Sequence, residues 1–234
     1  NTISYSTGES SETAPGWRAF NDLWAMRIDP ITGEALRVEQ VVEASSFGLY
    51  SWWGTQFYWS HNGENLGWVR ADSAGLVDIN TGEFNTLVEY PVFNTRQSWS
   101  WRATLSWSPA NDLMATTIHV PIGNYPPETS PAFSAAVVAL DGSFDTPVAE
   151  NSGIWTIPKY SNDPVDPQIA YMRARDPFNS INGEYDLVVA DRDGSNARAV
   201  FPPEGQVGFR SQEYTWSPNG RQIAMIYQGN LWLV

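Results

Sequence analysis

The sequence predicts an all-β fold, namely a β-propeller of four-stranded antiparallel blades. A Trp-Ser signature recurs at 58–63 (Tyr-Trp-Ser-His-Asn-Gly), 106–109 (Ser-Trp-Ser-Pro) and 215–220 (Thr-Trp-Ser-Pro-Asn-Gly). Each copy precedes an apolar run, a turn and a second apolar run, at a period of roughly 50 residues that is typical of repeat architectures. Strand-forming aromatic residues are abundant, with 12 Trp, 10 Tyr and 10 Phe, while 18 Gly and 16 Pro interrupt the chain. Four-stranded units of this kind form propeller blades.

The last unit shows the template most clearly. Residues 213–217 are predicted to form its first strand, strand A, and Pro218-Asn219-Gly220 supplies a turn in which Asn-Gly accepts positive φ. Residues 222–227 form strand B, 228–230 reverse the chain, and 231–234 begin strand C.

The same template divides the chain into five blades. Within one propeller domain spanning 1–234, expected to be incomplete, the blades cover about 1–43, 54–91, 103–150, 153–202 and 212–234. Three of them are full, whereas the first has only strands B, C and D and the last only A, B and C. The chain is therefore expected to start and stop inside a unit.

Three B–C connections are longer than a hairpin needs. They cover residues 8–20, 121–131 and 175–183. Because equivalent loops of successive blades lie on one face of a propeller, we expect all three to line the same face. Long loops in a compact domain often carry function, so this face is the predicted docking surface.

Composition excludes several classes of partner. The net charge is −13 and the pI about 4.4, so the surface repels phosphate backbones and we expect no nucleic-acid partner. The absence of cysteine rules out disulfides and thiolate zinc sites. No apolar run reaches the length of a membrane span. The chain begins with Asn1, which fits a mature or excised segment.

Motifs for catalysis or metal binding are weak. The stretch at 191–196 (Asp-Arg-Asp-Gly-Ser-Asn) resembles the start of a calcium loop, but its twelfth position is Pro202 rather than glutamate, so a hairpin turn is preferred. His61 is interpreted as a solvated turn residue, and His119 as the end of a strand near a blade edge. There is no Gly-x-Ser-x-Gly nucleophile motif. We expect no enzyme activity, no catalytic residue, no cofactor and no metal site.

Aromatic residues and one arginine in the D–A and B–C connections form the candidate contact surface. Tyr and Trp rings and arginine are typical of protein, peptide or sugar contacts. The alternative is that these rings pack between blades near the central channel. The candidate residues are Trp17, Trp52, Trp53, Trp99, Trp101, Tyr125, Phe178, Phe209 and Arg210.

The repeat resembles the TolB-type, WD-like β-propeller family. The segments at 216–225 (Trp-Ser-Pro-Asn-Gly-Arg-Gln-Ile-Ala-Met) and 186–196 (Asp-Leu-Val-Val-Ala-Asp-Arg-Asp-Gly-Ser-Asn) are similar to its blade signature, and 29–33 and 78–82 to its Asp-x-x-Thr-Gly ending. The chain departs from the pattern in its long B–C insertions and in His61, which stands in place of the signature proline. Such blades occur in periplasmic TolB, in the tricorn protease, in relatives of prolyl oligopeptidase propellers and in bacterial envelope proteins.

The resemblance implies a non-enzymatic scaffold outside the bacterial cytoplasm, in the periplasm or at the cell surface. Its expected partner is a protein or peptide, with a sugar as another possibility. One alternative is a gating or substrate-selecting propeller of a larger peptidase, or of a carbohydrate-active protein. Another is a structural subunit of a surface assembly.

Overall fold

The structure, a computed structural model, describes residues 1–5, 22–42, 58–96, 101–143, 145–210 and 213–234. Within these ranges the secondary structure is β-strand, together with two short 3₁₀ helices at Pro127–Thr129 and Pro177–Asn179 and no α-helix. Every strand pairing is antiparallel, and each sheet follows the order of the chain. The chain is a partial β-propeller, which confirms the predicted fold class.

Five sheets are present in the described residues, three with four strands and two with three. Sheet 1 contains β1 (Thr2–Tyr5), β2 (Leu23–Ile28) and β3 (Ala35–Val42). Sheet 2 contains β4 (Tyr58–Trp59), β5 (Asn65–Val69), β6 (Ser73–Asp78) and β7 (Phe84–Glu89). Sheet 3 contains β8 (Leu105–Trp107), β9 (Leu113–Val120), β10 (Ala132–Ala139) and β11 (Asp145–Ala149). Sheet 4 contains β12 (Lys159–Tyr160), β13 (Gln168–Ala174), β14 (Tyr185–Asp191) and β15 (Arg198–Phe201). Sheet 5 contains β16 (Tyr214–Trp216), β17 (Ile223–Tyr227) and β18 (Asn230–Leu233).

The strands of sheets 1 to 5 lie within residues 2–42, 58–89, 105–149, 159–201 and 214–233. In sheet 3, β10 begins at Ala132, directly after the predicted 121–131 connection. Its pairing with β9 runs from Ala132 opposite Val120 to Ala139 opposite Leu113.

Contacts divide the chain into two compact units. The first comprises 1–89 and 93–102, and the second 90–92 and 103–234. In the first unit, sheets 1 and 2 share a core in which Leu23 and Ala25 pack with Leu66, Trp68 and Val77.

In the second unit, sheet 4 is buried on both faces. Ile169 and Val188 lie in a cluster with Leu113 and Val137 of sheet 3. The alternate residues of the same strands face sheet 5, where Met172 and Leu187 join a cluster that includes Trp216, Ile223 and Met225. Blades that cover each other's faces explain why the strands are apolar at nearly every position.

The A–B hairpin of sheets 2 to 5 is closed by one motif, which is the Trp-Ser signature in sheets 2, 3 and 5 and Tyr160-Ser161 in sheet 4. Its serine hydroxyl accepts a hydrogen bond from the backbone N–H at the start of strand B. The oxygen–nitrogen distances are 3.0 Å for Ser60 and Asn65, 3.1 Å for Ser108 and Leu113, 2.9 Å for Ser161 and Gln168, and 3.1 Å for Ser217 and Gln222. The repeat of this motif is therefore a structural requirement of the blade.

Two of the signature tryptophans also tie one blade to the one before it. The indole N–H of Trp59 in sheet 2 donates to the Ser4 hydroxyl of sheet 1, at 3.1 Å. That of Trp216 in sheet 5 donates to the carbonyl of Lys159 in sheet 4, at 3.0 Å. The ring supplies apolar contact area and its N–H finds a partner, as buried tryptophans usually require.

The Asp-x-x-Thr-Gly endings form matching C–D turns in sheets 1 and 2. Asp29 Oδ1 accepts from the N–H groups of Ile31 and Thr32, and Asp78 Oδ1 accepts from those of Asn80 and Thr81. These hydrogen bonds lower the pKa of the Asp29 carboxyl, with that from Thr32 contributing most. Gly33 and Gly82 close the turns with φ of 74°, a left-handed conformation that glycine adopts without strain.

Candidate functional site

The predicted contact residues have three different outcomes. Trp17, Trp52, Trp53 and Trp99 lie outside the described residues. Trp101 and Phe209 are 3% and 2% exposed, so the interior packing that the sequence left as an alternative applies to these two rings. Tyr125 and Phe178 are exposed, and the Arg210 side chain is 72% exposed.

His119 is an interior residue and does not lie at a blade edge as the sequence suggested. It is 1% exposed within β9 and stacks on Phe133 with a centroid distance of 4.8 Å. Nδ1 is 2.8 Å from the Pro91 carbonyl and Nε2 is 2.8 Å from the Ser130 carbonyl. The imidazole therefore fastens the 121–131 loop to the sheet. His61 is an exposed turn residue, as predicted.

The B–C loops of sheets 3 and 4 lie at the same edge of the second unit. The segment 152–154 joins them: the Ser152 N–H donates to the Phe133 carbonyl at the start of β10, at 2.7 Å. Two residues on, the Ile154 N–H donates to the Ser180 hydroxyl of the 175–183 loop, at 3.1 Å. The predicted common face therefore holds for these two loops, while the 8–20 loop lies outside the described residues.

A groove of about 360 Å³ opens where the connections around sheets 4 and 5 converge. Its lining comes from the D–A connection at 207–210, from the end of β17 and from the B–C turn of sheet 5. Glu184, which precedes β14, completes it. The lining residues are Glu184, Val207, Gly208, Phe209, Arg210, Ile226, Tyr227, Gln228 and Gly229.

The aromatic base of the groove is held by hydrogen bonds. Phe209 pairs with Tyr185 through two backbone hydrogen bonds of 3.0 Å each. The Tyr227 hydroxyl donates to the Val207 carbonyl at 2.7 Å and accepts from the Gln228 side chain at 3.1 Å. Phe209 and Tyr227 both pack against Phe201, at 6.2 and 5.0 Å between ring centroids. The base is thus preorganised before any ligand arrives.

The rim of the groove is apolar. Val207 is 53% exposed and Ile226 is 41% exposed, although both are aliphatic. Both line the groove, one from the D–A connection and one from β17. Exposed apolar side chains over a rigid aromatic base are typical of a surface that buries a ligand's apolar group.

Charge in the groove is organised by Glu184. Its Oε2 accepts from the Gly208 N–H at 2.8 Å and lies 3.3 Å from Arg175 Nη1, while its Oε1 lies 3.4 Å from Arg210 Nη2. These partners lower the pKa of the Glu184 carboxyl, the Gly208 hydrogen bond most of all. Arg175 also binds Asp186 at 2.7 Å. The Glu184 carboxylate therefore stays ionised at neutral pH, with its charge balanced by the two guanidinium groups.

Arg210 is the cationic group best placed to meet a ligand. Among the described residues its ion-pair partner is Glu184, and the contact is long. Arginine offers a planar fork of donors that suits carboxylates. The groove thus combines an apolar rim with one exposed guanidinium, an arrangement suited to binding.

Sequence reasoning found Phe209, Arg210 and the two loops but missed Glu184, Val207, Ile226 and Tyr227. Val207 stands two residues before Phe209 in a connection already singled out, so its position was the one available signal. Ile226 and Tyr227 lie in a predicted strand, where an apolar residue is expected to be core.

Across the part of the chain that the structure describes, no group of three or more His, Cys, Asp or Glu side chains is arranged to hold a metal ion. The same residues include no helix with the length and apolar character needed to cross a membrane.

Comparison with known proteins shows the fold. No protein-family model and no curated protein matches the sequence. A chain in the crystal structure of a nidogen/laminin complex is similar, with a TM-score of 0.53 and 11% identity over 96% of this chain and 69% of that one. The acylaminoacyl peptidase of Pyrococcus horikoshii is similar with a TM-score of 0.52 and 10% identity, over 96% of this chain.

These neighbours are β-propeller proteins, and at such identities the likeness concerns fold alone. The present chain spans 33% of the peptidase chain. The resemblance of the repeat to the TolB type stays a prediction from the sequence.

Proposed function

We propose that this chain is a non-enzymatic binding scaffold that captures a protein or peptide in the groove between Val207 and Ile226. The observation that carries the proposal is the preorganised groove of about 360 Å³, whose lining combines the exposed aliphatic residues Val207 and Ile226 with buried Phe209 and Tyr227. Its volume lies at the small end of the range for ligand sites, roughly 300–1,000 Å³. It accepts one or two side chains of a partner.

The groove residues support binding over catalysis. Of the residues lining it, Glu184 is the one carboxylate, and its lone pairs are directed at a backbone N–H and two guanidinium groups. A general base needs a free lone pair within reach of a substrate proton. The described partners of Glu184 give it a positioning role instead.

The site also fits the propeller architecture. D–A and B–C connections of neighbouring blades meet on one face, and rigid sheets below fix their separation. We place this scaffold outside the cytoplasm, in the periplasm or at the cell surface, on the strength of the TolB-type repeat and the acidic composition. Nucleic acid is not an expected partner of a chain with net charge −13.

Selection from a displayed library of random peptides tests the proposal. Peptides enriched on the wild-type chain are titrated against Val207→Asp, which places a charge on the apolar rim, and against Val165→Asp as the matched control. Val165 is 90% exposed in the A–B turn of sheet 4, away from the residues that line the groove. We expect Val207→Asp to weaken binding about tenfold or more and Val165→Asp to leave it unchanged.

Two results would count against the proposal. One is that no peptide is enriched over an empty support. The other is that enriched peptides bind Val207→Asp as tightly as the wild type, since the binding surface would then lie elsewhere.

A further inference from the structure

We infer that the ligand of this groove is the C-terminal end of a peptide whose last residue is apolar, with its carboxylate on Arg210 and its side chain between Val207 and Ile226. This inference rests on the proposed function and names the chemical class of the partner. It starts from the pairing of unlike features in one small cavity: two exposed aliphatic groups and an exposed guanidinium.

A cationic ligand fits the groove poorly. Glu184 is the carboxylate of the lining, and it already faces Arg175, Arg210 and the Gly208 N–H at 3.3, 3.4 and 2.8 Å. A ligand ammonium group would have to displace an arginine from it. The carboxylate therefore acts as a fixed support that holds Arg210 over the groove.

An anionic group fits well for the same reason. Arg175 is held by Asp186 through its Nε and Nη2, at 2.9 and 2.7 Å. Within the described part of the chain, the Arg210 guanidinium contacts Glu184 at 3.4 Å, and its side chain is 72% exposed. Donors of the Arg210 fork are thus available for a second carboxylate. Bidentate pairing of guanidinium and carboxylate gives both strength and direction.

The overall charge limits how acidic the ligand can be. A chain of net charge −13 repels a polyanion at long range, but a single carboxylate beside an apolar side chain meets mainly the local field of Arg210. A peptide C-terminus has that composition. The cavity is too small to bury a long alkyl chain, and its rim is exposed, so the rest of a peptide can leave toward solvent.

Isothermal titration of the chain with four probes tests the inference. The probes are acetyl-Gly-Gly-Ser-Val-Leu with a free carboxylate, the same peptide as its C-terminal amide, acetyl-Gly-Gly-Ser-Gly-Gly with a free carboxylate, and octanoate. We expect the first to bind, and the amide to bind about tenfold or more weakly because it lacks the charge-assisted hydrogen bonds. The glycine peptide and octanoate are expected to bind weakly as well.

Two variants locate the carboxylate. Arg210→Gln is expected to weaken binding of the free-acid peptide by about the same factor and to leave the affinity for the amide unchanged. Arg221→Gln is the matched control, because Arg221 is similarly exposed, at 77%, and its ion pair among the described residues is a 3.8 Å contact with Asp163. It should bind all probes as the wild type does.

The outcomes separate this inference from the proposed function. Equal binding of acid and amide, or an Arg210→Gln variant with unchanged affinity for the acid, overturns the carboxylate assignment but leaves a peptide-binding groove standing. If octanoate binds as tightly as the peptide, the assignment of the ligand as a peptide C-terminus is overturned. Absence of binding by all four probes overturns the inference, and the library selection then decides the proposed function independently.

Discussion

Glu184 shows how one side chain can shape a surface without contacting a ligand. Its hydrogen bond with Gly208 joins the D–A connection to sheet 4. It also positions two arginines, of which Arg175 is bound to Asp186 and Arg210 is exposed to solvent. In sequence it is one of 26 acidic residues. Nothing local distinguishes it, because its partners lie up to 26 positions away along the chain.

The pH dependence of stability reports on this residue. The pKa of the Glu184 carboxyl is lowered in the folded chain, first by the Gly208 hydrogen bond, so its ionised form contributes stability above its ordinary value of 4.5. That contribution is lost as the pH falls through the lower folded value. We expect Glu184→Gln to lower the thermal midpoint at pH 7, and the difference from wild type to shrink as the pH falls below about 4.5.

Glu204→Gln is the matched control for that measurement, because Glu204 is an exposed carboxylate in the same D–A connection. Its midpoint should follow the wild type at every pH. A Glu184→Gln difference that stays constant down to about pH 3 would show that the carboxylate charge is not what holds the connection.

At the scale of one element, the A–B hairpin depends on a serine. Its hydroxyl oxygen accepts the hydrogen bond from the backbone N–H at the start of strand B, in place of a backbone carbonyl. Ser161 is 1% exposed and accepts from the Gln168 N–H at 2.9 Å, whereas Ser217 plays the same role toward Gln222 at 3.1 Å in a more exposed turn. We expect Ser161→Ala to cost about 1–3 kcal/mol of unfolding free energy and Ser217→Ala about 1 kcal/mol or less, since water can replace the second hydroxyl.

Urea denaturation of both variants measures the difference. Equal losses would mean that burial of the turn does not govern the hydrogen bond. No loss in either would mean that the serine of the signature serves another purpose than closing the hairpin.

Strand β6 holds a glycine for a steric reason. A Cβ on Gly75 would lie 2.0 Å from the Asn85 carbonyl oxygen and 2.4 Å from Cζ2 of Trp68, whose ring stacks on Phe84 at 4.5 Å. Because one obstacle is backbone, the strands must separate. We expect Gly75→Ala to cost about 1–3 kcal/mol or more.

Gly123→Ala serves as the control for Gly75→Ala, because a Cβ at Gly123 meets no described atom within 4 Å. Its unfolding free energy should change by about 0.5 kcal/mol or less. Similar losses in the two variants would argue against close packing of Trp68 over β6.

The strands and turns were the features of this chain that the sequence predicted best. Turn chemistry placed the hairpins, because Asn-Gly and Asp-x-x-Thr-Gly each impose a specific backbone path. Strand B of the last unit, predicted at 222–227, is β17 at Ile223–Tyr227. Burial of single side chains was less predictable. Phe209 and Val207 are close neighbours in one connection, yet one is 2% exposed and the other 53%, because residues distant in sequence decide which side is covered.

At the scale of the whole molecule, charge opposes compactness. Because the net charge is −13, folding brings like charges closer together and increases their mutual repulsion. Exposed ion pairs such as Arg175–Asp186 offset little of this repulsion. We expect the thermal midpoint at pH 7 to rise between about 10 mM and 200 mM NaCl, since the Debye length falls from roughly 30 Å to under 10 Å.

Near the sequence pI of about 4.4 the same addition of salt should leave the midpoint nearly unchanged, because the net charge is then close to zero. A midpoint that falls with salt at pH 7 would mean that attractive ion pairs outweigh the repulsion.

The repeat made the architecture predictable, but the groove is a product of its irregularities. Blades that follow the template bury their apolar residues between sheets, as Ile169 and Met172 do on the two faces of sheet 4. Val207 lies in a connection, and Ile226 is the exposed residue between buried Met225 and Tyr227 on β17. That both line one groove depends on how the D–A connection meets the end of β17. The blade template can be recognised in a single sequence. The way in which the D–A connection meets β17 can hardly be predicted from it.

We propose that this propeller binds its partner in the groove at 207–210 and 226–229. The most direct test is the amide spectrum of the nitrogen-15-labelled chain during titration with acetyl-Gly-Gly-Ser-Val-Leu. We predict that the shifts which move in a saturable way are those of Gly208, Phe209, Arg210, Gln228 and Gly229, and that those of sheets 1 and 2 stay in place. Saturable changes centred on other residues, or no change in the groove amides, would contradict the account.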